Sequence, residues 1–211
     1  MSNVDKVKKY EKDRVKPTGS EFYDISKWPE LSYLQENYIK IKEEALTILD
    51  NLEYVKEMQH HLHSQIDNNG EIYDDRDLLN KWKFLQLYFD NNRLKNEQHS
   101  DKLDFTIKTL NNLFEKISDF APTVGYSLLE SGGRIEEHAH DADLSVMLPL
   151  ICGHPTYLNV NGKKKYLEEG KFIIFNYGYK HSASNESKTD RLAVLLLIKN
   201  VDGVRWEKEN V

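Results

Sequence analysis

From Pro122 onward the chain is a succession of short apolar runs, TVGYSLLE, RIEEHAH, LSVMLPLI, TYLNV, KKKYLEE, KFIIFN and RLAVLLLIK, separated by Gly, Asn, Ser and Pro. Short runs of this composition, bounded by turn formers, predict strands. Asn161-Gly162, between TYLNV and KKKY, predicts a tight hairpin, because these two residues accept the positive φ values of a type I′ turn. The three lysines that follow would keep an exposed edge strand soluble. Seven short strands within one third of the chain predict two sheets rolled into a barrel.

The first 120 residues read differently. In WPELSYLQENYIKIKEEALTIL, the residues Leu31, Leu34, Tyr38, Ile41, Ala45 and Leu49 recur every three or four positions, which predicts one amphipathic helix whose apolar stripe packs on a sheet. The segment from Leu52 to Ser64 reads as its continuation and carries His60, His61 and His63. Three histidines at that spacing do not converge on one point of a helix, so they are expected to form a polar patch rather than a metal site. Asp67 to Asp77 reads as a loop, KWKFLQLYF as a buried strand, and Asp90 to Asn96 as another loop. A second helix is expected from a cap at Ser100 or Asp101, with Leu103, Ile107, Leu110, Phe114 and Ile117 on its apolar face.

Together these patterns predict an α+β fold: a double-stranded β-helix, the jelly-roll or cupin-like barrel, with an N-terminal helical layer packed on it. Residues 1–20, charged and ending in Pro17-Thr18-Gly19, are expected to be a mobile arm. Residues 21–211 are expected to form a single domain, with helical support over 21–120 and the barrel over 121–200.

Composition narrows the function. A net charge of −6 lacks the concentrated cationic excess that phosphate binding needs, so nucleic acid is not an expected partner. A small-molecule or peptide substrate is the expectation. The first residues, MSNVDKVKKYEKDRVKP, have no apolar core and do not read as a signal peptide. No apolar run is long enough to span a bilayer. One cysteine, Cys152, suits a reducing compartment, and a cytoplasmic location is expected.

Chemistry concentrates between Ser127 and Arg191. On a strand, residues two apart share a face, so His138 and His140 are expected to project together into the barrel mouth, and the turn after Gly170-Lys-Phe-Ile-Ile-Phe-Asn brings His181 to the same opening. Converging imidazoles suit a borderline divalent ion such as Fe(II), Zn(II), Mn(II) or Ni(II). Gly132-x5-His-x-His, followed by Gly170-x5-Asn-x-Gly-x2-His-x3-Asn, resembles the two metal-binding motifs of the cupin superfamily. It differs in having Asn176 where proline is usual and Asp143 near the place of the glutamate ligand.

A wider resemblance runs from residue 28 to 199. WPELSYLQENYIKIKEEAL, KWKFLQLYF, YSLLESGGRIEEH and EGKFIIFNYGYKHSASNESKTDRLAVLLL, in that order, resemble the aspartyl/asparaginyl β-hydroxylase family of Fe(II)/2-oxoglutarate-dependent oxygenases. As in that family, a serine, Ser127, stands eleven positions before the first histidine, His138, and an arginine, Arg191, stands ten after the second, His181. The resemblance implies that His138 and His181 are iron ligands and that Ser127 and Arg191 hold the distal carboxylate of 2-oxoglutarate, which is converted to succinate and CO2 as a substrate is hydroxylated. His140 stands where related oxygenases carry a carboxylate, and reads as a third ligand, a hydrogen-bond donor behind the metal, or a bystander; Asp141 and Asp143 lie nearby. Ser145 and Met147 replace an arginine and a histidine usual near the cofactor's reactive end. Two other readings remain: a metal-dependent cupin enzyme that does not use 2-oxoglutarate, and a non-catalytic cupin-like binding protein.

Overall fold

The computed structural model describes residues 17–54, 81–89, 93–94, 97–116, 123–140 and 144–198. The expected arm at residues 1–20 therefore lies outside them up to residue 16. So do His60, His61 and His63, the loop from Asp67 to Asp77, and Asp141 and Asp143.

Two antiparallel sheets carry the fold. The strands are β1 (Phe22–Tyr23), β2 (Glu53–Tyr54), β3 (Trp82–Phe89), β4 (Arg93–Leu94), β5 (Thr123–Leu129), β6 (Arg134–His138), β7 (Leu144–Ile151), β8 (Thr156–Val160), β9 (Lys163–Tyr166), β10 (Ile173–Asn176), β11 (His181–Asn185) and β12 (Arg191–Ile198). The larger sheet runs β1-β10-β7-β12-β5-β3-β2, with β4 on β3; the smaller runs β6-β11-β8-β9. This is the jelly-roll architecture the strand pattern predicted. The Asn161-Gly162 hairpin has φ of 50° and 80° at its two residues, as a type I′ turn requires.

The large sheet is two-faced. Leu128 on β5, Leu148 on β7, Ile174 on β10 and Val194 on β12 join the core that packs against the helices. Leu129, Met147, Phe175 and Ala193, on the same four strands, join a second core between the sheets. Alternation along each strand thus assigns one set of side chains to the helical layer and the other to the barrel interior.

The helical layer departs from the single helix expected after Trp28. A 3-10 turn at Pro29–Leu31 leads into α1 (Ser32–Glu36), and α2 (Tyr38–Leu46) begins after Asn37. The break has a local cause: the Asn37 side-chain amide donates to the carbonyl of Tyr33 at 2.7 Å, competing with the helical ladder. The stripe survives the break, since Leu31, Leu34, Ile41 and Ala45 are all buried. Beyond it, Glu53–Tyr54 is strand β2 paired with β3, not more helix. The second helix, α3 (Asp104–Lys116), starts later than a cap at Ser100 or Asp101 would place it. Its first amides at Phe105 and Thr106 donate to the two carboxylate oxygens of Glu44 on α2, so a neighbouring helix caps it.

Three further strands were not expected: the two-residue β1 and β4, the latter pairing with β3 inside the stretch from Asp90 to Asn96 read as a loop, and β11, which has little apolar signature. β1 pairs with β10 at the sheet edge, and β11, HSASN, lies between β6 and β8. Residues 17–20, expected to be mobile, are tied down: Thr18 and Gly19 carbonyls accept from Asn176 Nδ2 and Tyr179 Oη, each at 2.9 Å. Among the described residues no helix is long and apolar enough to cross a membrane.

Candidate metal centre and anion pocket

His138 ends β6, His181 opens β11, and the two are paired across the strands. Their ring centroids are 4.2 Å apart. His140 lies past the end of β6, so strand alternation does not bring it to the site as expected. It is held instead by its backbone, whose N–H donates to Tyr177 O at 3.3 Å, and by its ring, which stacks on Tyr177 at 3.9 Å and 5°. The result still converges: one ligand atom from each of His138, His140 and His181 lies within 4.8 Å of the others.

The tautomers suit a metal. His138 Nδ1 is 2.7 Å from the carbonyl of Glu136, and His181 Nδ1 is 2.8 Å from that of Tyr179. A carbonyl only accepts, so both Nδ1 atoms carry the proton and both Nε2 atoms present a lone pair. Backbone carbonyls behind ligating histidines fix ring orientation in this way. Three neutral nitrogen donors fit a borderline divalent ion and contribute no negative charge to it.

The turn between β10 and β11, which carries Tyr177 and Tyr179, is strapped by residues 17–23. Asn176 N donates to Glu21 O at 2.9 Å, while Asn176 Oδ1 accepts from Gly178 N at 3.1 Å. Glu21 also reaches the hairpin, accepting from Lys163 Nζ at 2.8 Å and Asn161 Nδ2 at 3.0 Å. The Lys163 hydrogen bond, then that from Asn161, holds the Glu21 carboxyl at about 2 rather than its ordinary 4.5. A carboxyl with a depressed folded pKa stabilises the fold above its unfolded value and loses that contribution as pH falls towards the folded one. The stability gap between the wild type and Glu21→Gln should therefore be widest above pH 4.5 and shrink between pH 4.5 and 2, read by thermal unfolding at stepped pH. A gap independent of pH would remove Glu21 as the latch.

Below the histidines lies a cavity between the sheets, lined by Trp82, Ser127, Ser145, Met147 and Arg191 among others. Arg191, which could have been a surface charge at a strand end, is 0% exposed. Burial pushes its pKa down to about 10 from 12.5. Its Nη1 approaches Met147 Sδ at 3.3 Å and its Nη2 approaches Ser127 Oγ at 3.4 Å, both long contacts to weak or neutral acceptors. Its buried Nε has no hydrogen-bond partner among the described residues. No carboxylate among those residues lines the cavity. Ser127 Oγ accepts from Trp82 Nε1 at 3.0 Å as well as from Arg191, so its own proton remains to be donated. A buried guanidinium without a counter-charge is costly, and a bound carboxylate is the group that matches its planar donors. The cavity therefore fits an anionic ligand as the histidines fit a metal.

Residues 35–200 match the sequence profile of the Aspartyl/Asparaginyl beta-hydroxylase family. The chain belongs to the aspartyl/asparaginyl β-hydroxylase family. No curated protein matches the sequence. Similar solved structures include the Cnp3 cupin domain of Schizosaccharomyces pombe, with a TM-score of 0.40 and 11% identity over 62% of this chain and 72% of that one. A predicted oxalate decarboxylase from Thermotoga maritima has a TM-score of 0.37 and 16% identity over 56% and 80%. A cupin domain from Bordetella pertussis Tohama I has a TM-score of 0.32 and 25% identity over 37% and 81%.

For this β-hydroxylase family member the structure brings His138, His140 and His181 together, with His138 and His181 in the cavity wall and Ser127 with Arg191 at another part of it. Sequence reasoning missed Trp82 and Tyr177, which orient Ser127 and His140. A buried tryptophan needs a partner for its N–H, and that requirement was the one available pointer to Trp82.

Proposed function

We propose that this protein is an Fe(II)/2-oxoglutarate-dependent dioxygenase that hydroxylates an amino-acid, peptide or other small-molecule substrate in the cytoplasm. The observation that carries the reading is Arg191: a fully buried cation facing a cavity that no carboxylate among the described residues lines, beside a three-histidine group. A divalent ion on neutral imidazoles together with a guanidinium makes the cavity strongly cationic. A dicarboxylate compensates both ends at once.

In this reading His138 and His181 hold the iron through Nε2, with His140 as a third nitrogen donor. Arg191 takes the far carboxylate of 2-oxoglutarate in a charge-assisted pair, and Ser127, held by Trp82, donates its hydroxyl beside it. Apolar walls from Leu158, Phe175 and Leu195 keep water from the space between. Bound iron and 2-oxoglutarate would activate O2, which is the oxidant: 2-oxoglutarate gives up two electrons in becoming succinate and CO2, the substrate gives up two in being hydroxylated, and one oxygen atom of O2 goes to each product. The half-buried free thiol of Cys152 is in keeping with a reducing compartment.

Anaerobic addition of Fe(II) and 2-oxoglutarate should give a weak visible metal-to-ligand charge-transfer band. The band should vanish in His181→Ala and persist, with weaker iron binding, in His140→Ala. The third histidine also favours a second reading, a metal-dependent cupin enzyme that works without 2-oxoglutarate. Tight metal binding with no such band, and no stabilisation by 2-oxoglutarate, would select that reading over ours.

A further inference from the structure

We propose that Ser145 is a ligand-binding residue of this cavity, its hydroxyl donating a hydrogen bond to the metal-proximal end of the bound 2-oxo acid. The inference rests on the function proposed above and deepens it.

The starting point is an unsatisfied group. Ser145 is 0% exposed and lines the cavity, and its Oγ has no hydrogen-bond partner among the described residues. A strand serine normally bonds to a nearby carbonyl, to water or to another side chain. Burying a hydroxyl with none of these is costly, so a native chain that keeps one in a cavity wall has a use for it. Valine or alanine would fill the same place on β7 without that cost.

Strand register says which end of a ligand Ser145 meets. Ser145 is paired with Phe175 on β10 and Leu197 on β12; Met147, the next cavity-facing residue, is paired with Ile173 and Leu195. Met147 touches Arg191 through its sulfur. Phe175, in the row of Ser145, lies with its ring 5.3 Å from that of His181. A ligand reaching from Arg191 towards the histidines therefore meets Met147 near the guanidinium and Ser145 near the metal. The oxygens available there are those of the 2-oxo carboxylate, which are acceptors. A hydroxyl supplies the donor with no charge, in keeping with a cavity where Arg191 and a bound metal would already supply the positive charge.

The experiment uses the full chain loaded with a redox-inert divalent metal. 2-Oxoglutarate is titrated by calorimetry into the wild type and Ser145→Ala, and the charge-transfer band of the anaerobic Fe(II) complexes is compared. The expected result is an affinity lower by roughly tenfold or more in Ser145→Ala, a shifted band, and a ligand-free protein no less stable than the wild type. Wild-type affinity in Ser145→Ala would overturn the proposal. Weaker binding with an unshifted band would overturn its placement at the metal end, and lower ligand-free stability without an affinity change would mark a structural residue. If the wild type itself fails to bind 2-oxoglutarate, the parent function falls, an outcome distinct from the failure of Ser145 alone.

Discussion

Replacing Arg191 with methionine is expected to abolish stabilisation by 2-oxoglutarate while raising the stability of the ligand-free protein. The two effects have one origin. Arg191 is 0% exposed, makes only long contacts to a sulfur and a hydroxyl, and faces no carboxylate among the described residues. In the ligand-free state it is a buried charge with poor compensation, and an apolar side chain of similar length relieves that cost, by about 1–4 kcal/mol where buried ionic groups have been replaced. At about 2–4 °C per kcal/mol for a chain of this size, the midpoint of thermal unfolding should rise by several degrees. In the liganded state the same change removes a charge-assisted pair and leaves a carboxylate stranded, which costs about 2–5 kcal/mol and lowers affinity by roughly 30-fold to several thousand-fold. Thermal unfolding with and without 2-oxoglutarate, with a redox-inert metal throughout, reads both. A lower midpoint in the ligand-free variant, or an undiminished shift on adding 2-oxoglutarate, would refute the anion role.

The largest loss of stability is expected at Asn185, the last residue of β11. It is 0% exposed. Its two Nδ2 protons are shared among the carbonyls of Leu129, Glu130 and Thr189 at 2.9, 3.2 and 2.9 Å. Its Oδ1 accepts from Thr156 Oγ1, Ser187 N and Ser187 Oγ at 2.9, 3.2 and 2.7 Å. One side chain thus ties the ends of β5, β8 and β11 to the loop that delivers Arg191. Asn185→Asp keeps the shape and the acceptor but turns the donor into a second acceptor facing three carbonyls. We expect a loss of at least about 3 kcal/mol, seen as a shift in the denaturant midpoint at unchanged slope. Asn185→Leu should be at least as damaging. A cost below about 1 kcal/mol in both would mean that water replaces the network.

The sequence disclosed the parts of the fold whose signal is local. Continuous apolar runs exposed β3, β5, β7 and β12, and Asn161-Gly162 marked its hairpin, because burial and positive φ restrict residue type at those positions. β11 escaped because only Ala183 of its inward residues is apolar, while His181 and Asn185 are buried polar groups, Asn185 held by a hydrogen-bond network. The break at Asn37 escaped because helical periodicity continues through it; only the amide's competition with the backbone interrupts the ladder. In the site, His138 and His181 stood out at the ends of strand-like runs, and Ser127 and Arg191 were marked by their spacing in the family that the sequence resembles. The place of His140 was not, since it depends on a stack with Tyr177 from another strand. Ser145 looked in the sequence like a loss of charge. Only burial and register reveal an unpartnered hydroxyl near the histidines.

The two-faced sheet makes the chain addressable by parity. On β5, β7, β10 and β12 the even-numbered residues, such as Tyr126, Val146, Ile174 and Leu196, lie against the helices, and the odd-numbered ones, such as Ser127, Ser145, Phe175 and Arg191, face the cavity. A library confined to odd positions on these strands would remodel what the cavity accepts while leaving the helical contacts untouched. Deleting a single residue early in any one of them would exchange the two alphabets along the rest of that strand, presenting leucines to the cavity and cavity residues such as Ser127 or Ala193 to the helices.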